Sequence, residues 1–120
     1  MRVADLEGAA LDYWVAKADG KEALITGSTC YWVVDKDEFL YRPSQTWYQS
    51  GPIIERERIA TAYLQDRWFA WPFGRTIDYD STCVDATLLT FQGGSYGGDR
   101  PLVAAMRCFV ASKFGEEVSE

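Results

Sequence analysis

Residues 99–115, DRPLVAAMRCFVASKFG, carry the clearest helical signal in the chain. Pro101 suits a first helical turn, where the N–H it lacks would have had no partner. Lys113 suits a last turn, facing the negative end of the helix dipole, and Gly115 stands where a helix closes. Between them Leu102, Ala105, Met106, Phe109 and Val110 recur at three- and four-residue spacing and form a stripe for burial. Val103 and Phe114 lie at one margin of that stripe, and Arg107 and Cys108 fall outside its centre. Such a helix needs an apolar surface to lie on, and the rest of the chain decides what that surface is.

A second helix is predicted from about Leu6 to Ala18, with Asp5 as N-cap, Glu7 in the first turn and Gly20 placed to end it. Leu6, Ala10, Tyr13, Trp14 and Lys17 share one face, and Leu11, Val15 and Ala18 widen the apolar surface. Asp12 is nearly the only clearly polar position in its middle. Tyr13 and Trp14 are therefore expected to anchor the core.

Between the helices the pattern shifts towards alternation. Ala23–Thr26 and Thr29–Val34 read as strands joined through Gly27-Ser28, with a third over Glu38–Arg42. Pro52 opens a short helix running to about Arg58. Ile59–Leu64, Arg67–Trp71 and Asp85–Phe91 read as further strands, and Arg75–Cys83 shows no clear period. No internal repeat or interdomain linker is found. The expectation is an α+β fold: one domain over residues 1–115, an antiparallel sheet with the N-terminal and C-terminal helices packed on one face, and a short helix after a Gly-Pro turn. Residues 116–120 form an acidic tail expected to fray.

Composition bounds the function. The chain has 120 residues, enough for one packed domain, and 48% hydrophobic with 15% aromatic content predicts a substantial core. Twelve basic and eighteen acidic residues leave a net charge of −6. That balance argues against direct nucleic-acid binding, which draws on clustered Lys and Arg. The chain has no His, which excludes Ser-His and Cys-His nucleophile pairs and any His-ligated metal. Cys30, Cys83 and Cys108 are scattered with no CxxC spacing, so small buried thiols are expected rather than a metal or redox site. Asp5, Glu7 and Asp12 interrupt what a signal peptide would need, and no segment is long enough to span a bilayer, so the expected location is cytoplasmic, away from membranes. No catalytic, metal or cofactor signature is found.

The segment Tyr41–Glu57, YRPSQTWYQSGPIIERE, is the best candidate site. Loops usually shed large apolar residues, and this one gathers Tyr41, Trp47 and Tyr48 ahead of the Gly51-Pro52 turn. Trp47 is expected to tuck into the core and pin the loop, whereas Tyr48, its neighbour, should face outward, as an interaction hot spot does. Glu55-Arg56-Glu57-Arg58 reads as a solvated, self-paired face, since residues two apart on a helix do not meet. The interleaved arginines would neutralise Glu55 and Glu57 as a catalytic or metal-binding carboxylate pair, for which Asp78 with Asp80 is the other spacing in the chain. Glu55 keeps interest because it follows the turn. Gly93–Arg100 is a glycine-rich loop leading into a helix N-terminus, where Gly97, Gly98 and Arg100 suggest an anion site. Asp99 and the missing P-loop Lys favour a plain connector. Arg67–Phe73 alternates aromatics as single-strand binding platforms do, yet its single Arg favours a strand feeding the core.

Leu11–Ala16, Pro43-Ser44 with Trp47, Gly51–Glu57 and Pro101–Gly115 together resemble the phage NinX-like family in their order and spacing. The resemblance spans nearly the whole chain and is weakest over Gln65–Gly98. It implies a small phage or prophage accessory protein and carries no activity with it. The function expected is non-enzymatic protein–protein interaction through residues 41–57, with a host or phage factor or a second copy as partner. The alternative is a small-molecule or anion binder, or a cryptic enzyme, using a pocket between that segment and residues 93–100.

Overall fold

A computed structural model describes residues 1–72 and 96–119. The chain opens with a 3-10 turn over Val3–Asp5, followed by α1 (Gly8–Ala18). β1 (Glu22–Thr26), β2 (Thr29–Val34) and β3 (Asp37–Leu40) form an antiparallel sheet in chain order. After α2 (Trp47–Glu57), β4 (Ile59–Leu64), β5 (Arg67–Pro72) and β6 (Tyr96–Gly98) form a second antiparallel sheet, and α3 (Pro101–Phe114) closes the fold. The architecture is α+β, with the strands divided between two small sheets. The expected strand over Asp85–Phe91, the aperiodic Arg75–Cys83, Asp78, Asp80 and Gly93–Ser95 lie outside the described residues.

Tight turns set the registers. Gly27, at φ +66°, turns β1 into β2 so that Thr26 faces Thr29. Gln65 and Asp66 both take positive φ in the two-residue link from β4 to β5, as the favoured hairpin turn requires, and Leu64 faces Arg67. Gly20 ends α1 as expected: its N–H donates to Lys17 O and that of Lys21 reaches back to Ala16 O, a Schellman closure with Gly20 at φ +75°.

The start and buried face of α1 differ from expectation. Val3 and Leu6 are drawn into the core, and Val3 N–H donates to Glu116 O, so the helix begins only at Gly8, and Glu7 rather than Asp5 precedes it. The buried positions are Leu11, Asp12, Val15 and Ala16, because β1, β2 and α3 approach from that side. Tyr13 and Trp14 sit half-buried at the margin, edge-to-face with each other, and Trp14 meets Phe114 at 5.5 Å. Asp12 is only 2% exposed and accepts a 2.9 Å hydrogen bond from the Ser44 N–H. Burial raises its pKa above the usual carboxylate value, against the pull of Ser44 and the Arg42 charge.

α3 packs on β4, β5 and β6 and against α1. Leu102, Ala105, Met106, Phe109 and Val110 are buried as the stripe predicts; Ala104 and Cys108 are buried too, because α3 is wrapped on more than one side. Arg107 is the exception within this helix. Its Nε donates to Leu6 O at 2.8 Å and its Nη1 to Gly97 O at 2.7 Å, tying the N-terminal segment to β6. The tail is another correction. Val118 is buried, its N–H donates to Met1 O at 2.9 Å, and the Met1 ammonium donates to Val118 O at 2.8 Å, so Glu116–Val118 are held against the N-terminus rather than frayed.

Candidate functional site

The segment 41–57 is a short fixed loop followed by a helix. Tyr41 N–H donates to Cys30 O at 3.0 Å, continuing the run of β3, and Pro43 and Ser44 are buried over Asp12. The Gln49 carboxamide locks the corner: it accepts from the Arg42 N–H at 2.6 Å and donates to Leu40 O at 2.7 Å. One side chain thereby occupies backbone groups at the end of β3 that a further strand would otherwise use.

α2 begins at Trp47, five residues before the expected start, with Gly51 and Pro52 inside it. A proline there removes one helical hydrogen bond and crowds the residue before it. Glycine at position 51 has no Cβ to be crowded, so the pair is tolerated. Arg58, at φ 54° and ψ 49°, closes the helix in the left-handed region.

The helix sorts the candidate residues onto separate faces. Ser50 and Ile53 point into the protein. Trp47, Gly51 and Glu55, spaced by four, share an outer stripe. Trp47 is 58% exposed, which overturns the expectation that it pins the loop in the core. It stays exposed as the first residue of α2, and the buried Tyr41, Pro43 and Ser44 hold the loop instead. Tyr48, 87% exposed, and Pro52 share the next face with Arg56.

That face walls a cleft of about 560 Å³ between α2, β2, β3 and the end of α1. Trp32, Tyr41 and Ile53 form its apolar interior, and Phe39, Leu40, Tyr48 and Pro52 form its rim. The Trp32 ring lies 6.0 Å from that of Phe39 and 6.5 Å from that of Tyr41. Tyr41 is buried, and its hydroxyl has no hydrogen-bond partner among the described residues. Burial, reinforced by the Asp19 and Asp12 charges, pushes its pKa up. One pole of the cleft is charged. Asp19 accepts from Lys21 and, at 2.7 Å, from Arg56 Nη2, while Arg56 Nε meets Glu57 at 3.1 Å and Lys113 meets the same carboxylate at 3.3 Å. The Lys21 ammonium stands 5.0 Å over the Trp32 ring.

The cleft is not the pocket anticipated between residues 41–57 and 93–100. Gly97 and Gly98 belong to β6, opposite Phe69 and Trp68 in the second sheet. A Cβ at Gly98 would come within 3.0 Å of Val103 Cγ1 and 3.1 Å of Ala104 N, so close packing accounts for that glycine, whereas one at Gly97 would meet only the movable Arg67 guanidinium. Arg100 is exposed and serves as the N-cap of α3 through its carbonyl, which accepts from Ala104 N–H. Sequence reasoning missed Gln49 within α2 itself, and Asp19, Lys21, Trp32 and Phe39, which come from the link after α1, from β2 and from β3. Arg56 was legible only as part of a self-paired face; it does pair with Glu57, but it also crosses to Asp19.

Neither described cysteine offers a nucleophile. Burial pushes the Cys30 thiol up to about 11, with Asp12 adding to it, and the Cys108 thiol up to about 12. Cys83 lies outside the described residues. Among these residues no helix is long and apolar enough to cross a membrane. A family model described as Bacteriophage P22, NinX matches residues 2–113. No match is found among curated proteins.

Proposed function

The chain belongs to the bacteriophage P22 NinX family, and from that premise we propose that this phage accessory protein acts by binding another protein through the exposed aromatic surface of α2. The carrying observation is the exposure of Tyr48 beside the exposed Phe39 and Leu40 on the cleft rim, with Trp47 exposed on the adjoining face of the same helix. Scattered single apolar residues are ordinary on a surface, but a contiguous aromatic patch marks an interface. Trp and Tyr offer large contact area with few torsions to freeze, the property that makes them hot spots.

The role is non-enzymatic. The described thiols are buried, and the cleft beside α2 is lined by aromatics and a self-paired charge network instead of an acid-base or nucleophile pair. A net charge of −6 favours a protein partner, a host or phage factor, over direct contact with nucleic acid. Free thiols at Cys30 and Cys108 suit the reducing cytoplasm of the host. Affinity capture from a lysate of phage-infected cells tests the reading. The wild-type chain should retain a specific protein that the folded Trp47→Ala/Tyr48→Ala double variant loses. Equal recovery by both chains would show that this surface is not the interface.

A further inference from the structure

We infer that the cleft between α2, β2 and β3 receives a peptide segment of the partner in which a carboxylate side chain stands beside a large apolar one. This deepens the protein-binding reading and rests on it. At about 560 Å³ the cleft is of the size that holds a ligand or several side chains. Its interior is apolar, so the occupant must bring apolar bulk. Its charged pole adds the second requirement: the network of Lys21, Arg56 and Lys113 with Asp19 and Glu57 sets three cations against two carboxylates, leaving one positive charge in excess.

Arg56 makes that excess available. Its side chain is half exposed, Nε and Nη2 are engaged with Glu57 and Asp19, and Nη1 makes no hydrogen bond among the described residues. A guanidinium held in place with unused N–H groups is a ready carboxylate receptor. A cationic occupant is disfavoured locally, because the Trp32 face that would attract it already carries the Lys21 ammonium. Polyanions such as nucleic acid are disfavoured globally by the −6 charge of the chain. Strand addition along β3 is blocked at its end by the Gln49 carboxamide on Leu40 O and Arg42 N–H. Recognition therefore runs through side chains: apolar groups on Trp32 and Tyr48, a carboxylate on Arg56.

The test uses the full chain labelled with nitrogen-15, reading the indole N–H signals of its tryptophans during titration. Trp32 lines the cleft, whereas Trp14 and Trp68 do not and report that the fold is intact. The probes are three capped pentapeptides with two phenylalanines flanking a central glutamate, glutamine or lysine. The Trp32 signal should move with the glutamate peptide at an affinity about threefold above that of glutamine, with lysine weakest. Arg56→Gln should erase the glutamate preference without moving the Trp14 and Trp68 signals.

Equal binding of the three peptides, or none at Trp32 at millimolar concentration, overturns the inference. So does tighter binding of free phenylpropionate than of the glutamate peptide, which would make the site one for a small carboxylate. A Trp32 shift on concentrating the protein alone would make the occupant a second copy and overturn it equally. None of these results touches the interface reading itself. That fails only if partner capture ignores Trp47 and Tyr48.

Discussion

α2 and α3 carry similar signals in sequence and meet opposite fates. Each contains a proline and a run of large apolar residues, yet α3 buries seven of its fourteen residues and α2 only two of its eleven. The cause is what surrounds them. α3 lies on the β4–β6 sheet with α1 against its flank, whereas α2 packs against α3 and β4 and reaches β3 and the end of α1 through the Gln49 and Arg56 side chains. Apolar side chains on α3 are spent on folding, and those on α2 remain at the surface. A hydrophobic residue thus reports function only once the packing that could have consumed it has been counted.

The sharpest break between the helices should appear in stability. Phe109→Ala removes a fully buried ring from α3 and should cost about 3–5 kcal/mol, with Met106→Ala close behind, read from urea melts. If any alanine substitution at an exposed α2 position costs as much, α2 is part of the core and the contrast dissolves.

Arg107→Ala should come next, at about 1.5–3 kcal/mol, because a charged donor to two backbone carbonyls is lost. This refines the stripe argument, which places Arg107 off the buried face and assigns it little weight. A melt indistinguishable from wild type would mean that the bonds to Leu6 and Gly97 are replaced by water at no cost.

Asp12 joins the two halves of the molecule, since it sits on α1 and holds the loop that leads into α2. Asp12→Ala strands the buried Ser44 N–H and should cost about 1–3 kcal/mol. Its titration has a definite sign. Burial raises the folded-state pKa above the unfolded one, so the fold favours the protonated acid. That stabilisation is fully present below the unfolded pKa and is lost as pH rises through the folded pKa. Asp12→Asn keeps an acceptor for Ser44 and should remove this acid-side slope from stability measured against pH. An unchanged slope would assign it to other carboxylates.

The same contrast explains what could be read in advance. The α+β class, the β1–β2 hairpin, the Schellman closure at Gly20 and the stripe of α3 were legible, because each depends on local turn chemistry or on a period spanning one element. The division into two sheets was not, since nothing local tells a strand which neighbours it will have. Asp12 was noted only as the nearly lone polar position of its helix, and its burial could not be read because its partner, the Ser44 N–H, lies far along the chain. The candidate site was half legible. Tyr41, Tyr48 and Pro52 were named and do line the cleft, but Asp19, Lys21, Trp32 and Phe39 complete it from positions 9 to 29 residues away from Tyr48. Trp47 was assigned inward because a tryptophan in a loop usually is, and the loop proved to be a helix with that position on its outer face.

The smallest expected effect on folding is the most telling for function. Tyr48→Ala should leave the melting temperature within about 1 °C of wild type, because a side chain 87% exposed has little packing to lose. Trp47→Ala should behave alike, in contrast to any residue of the α3 stripe. Partner affinity should fall about tenfold or more in each, the loss typical of a truncated hot-spot aromatic. The two variants also divide the surface. Tyr48 stands on the cleft rim and Trp47 on the outer stripe with Glu55, so equal losses mean the partner wraps both faces of α2. A loss at Tyr48 alone confines it to the cleft, and a loss at Trp47 alone moves it to the Trp47–Gly51–Glu55 stripe. Should either change lower the melting temperature as Phe109→Ala does, the exposed aromatics are structural, and the difference between the two helices is one of degree.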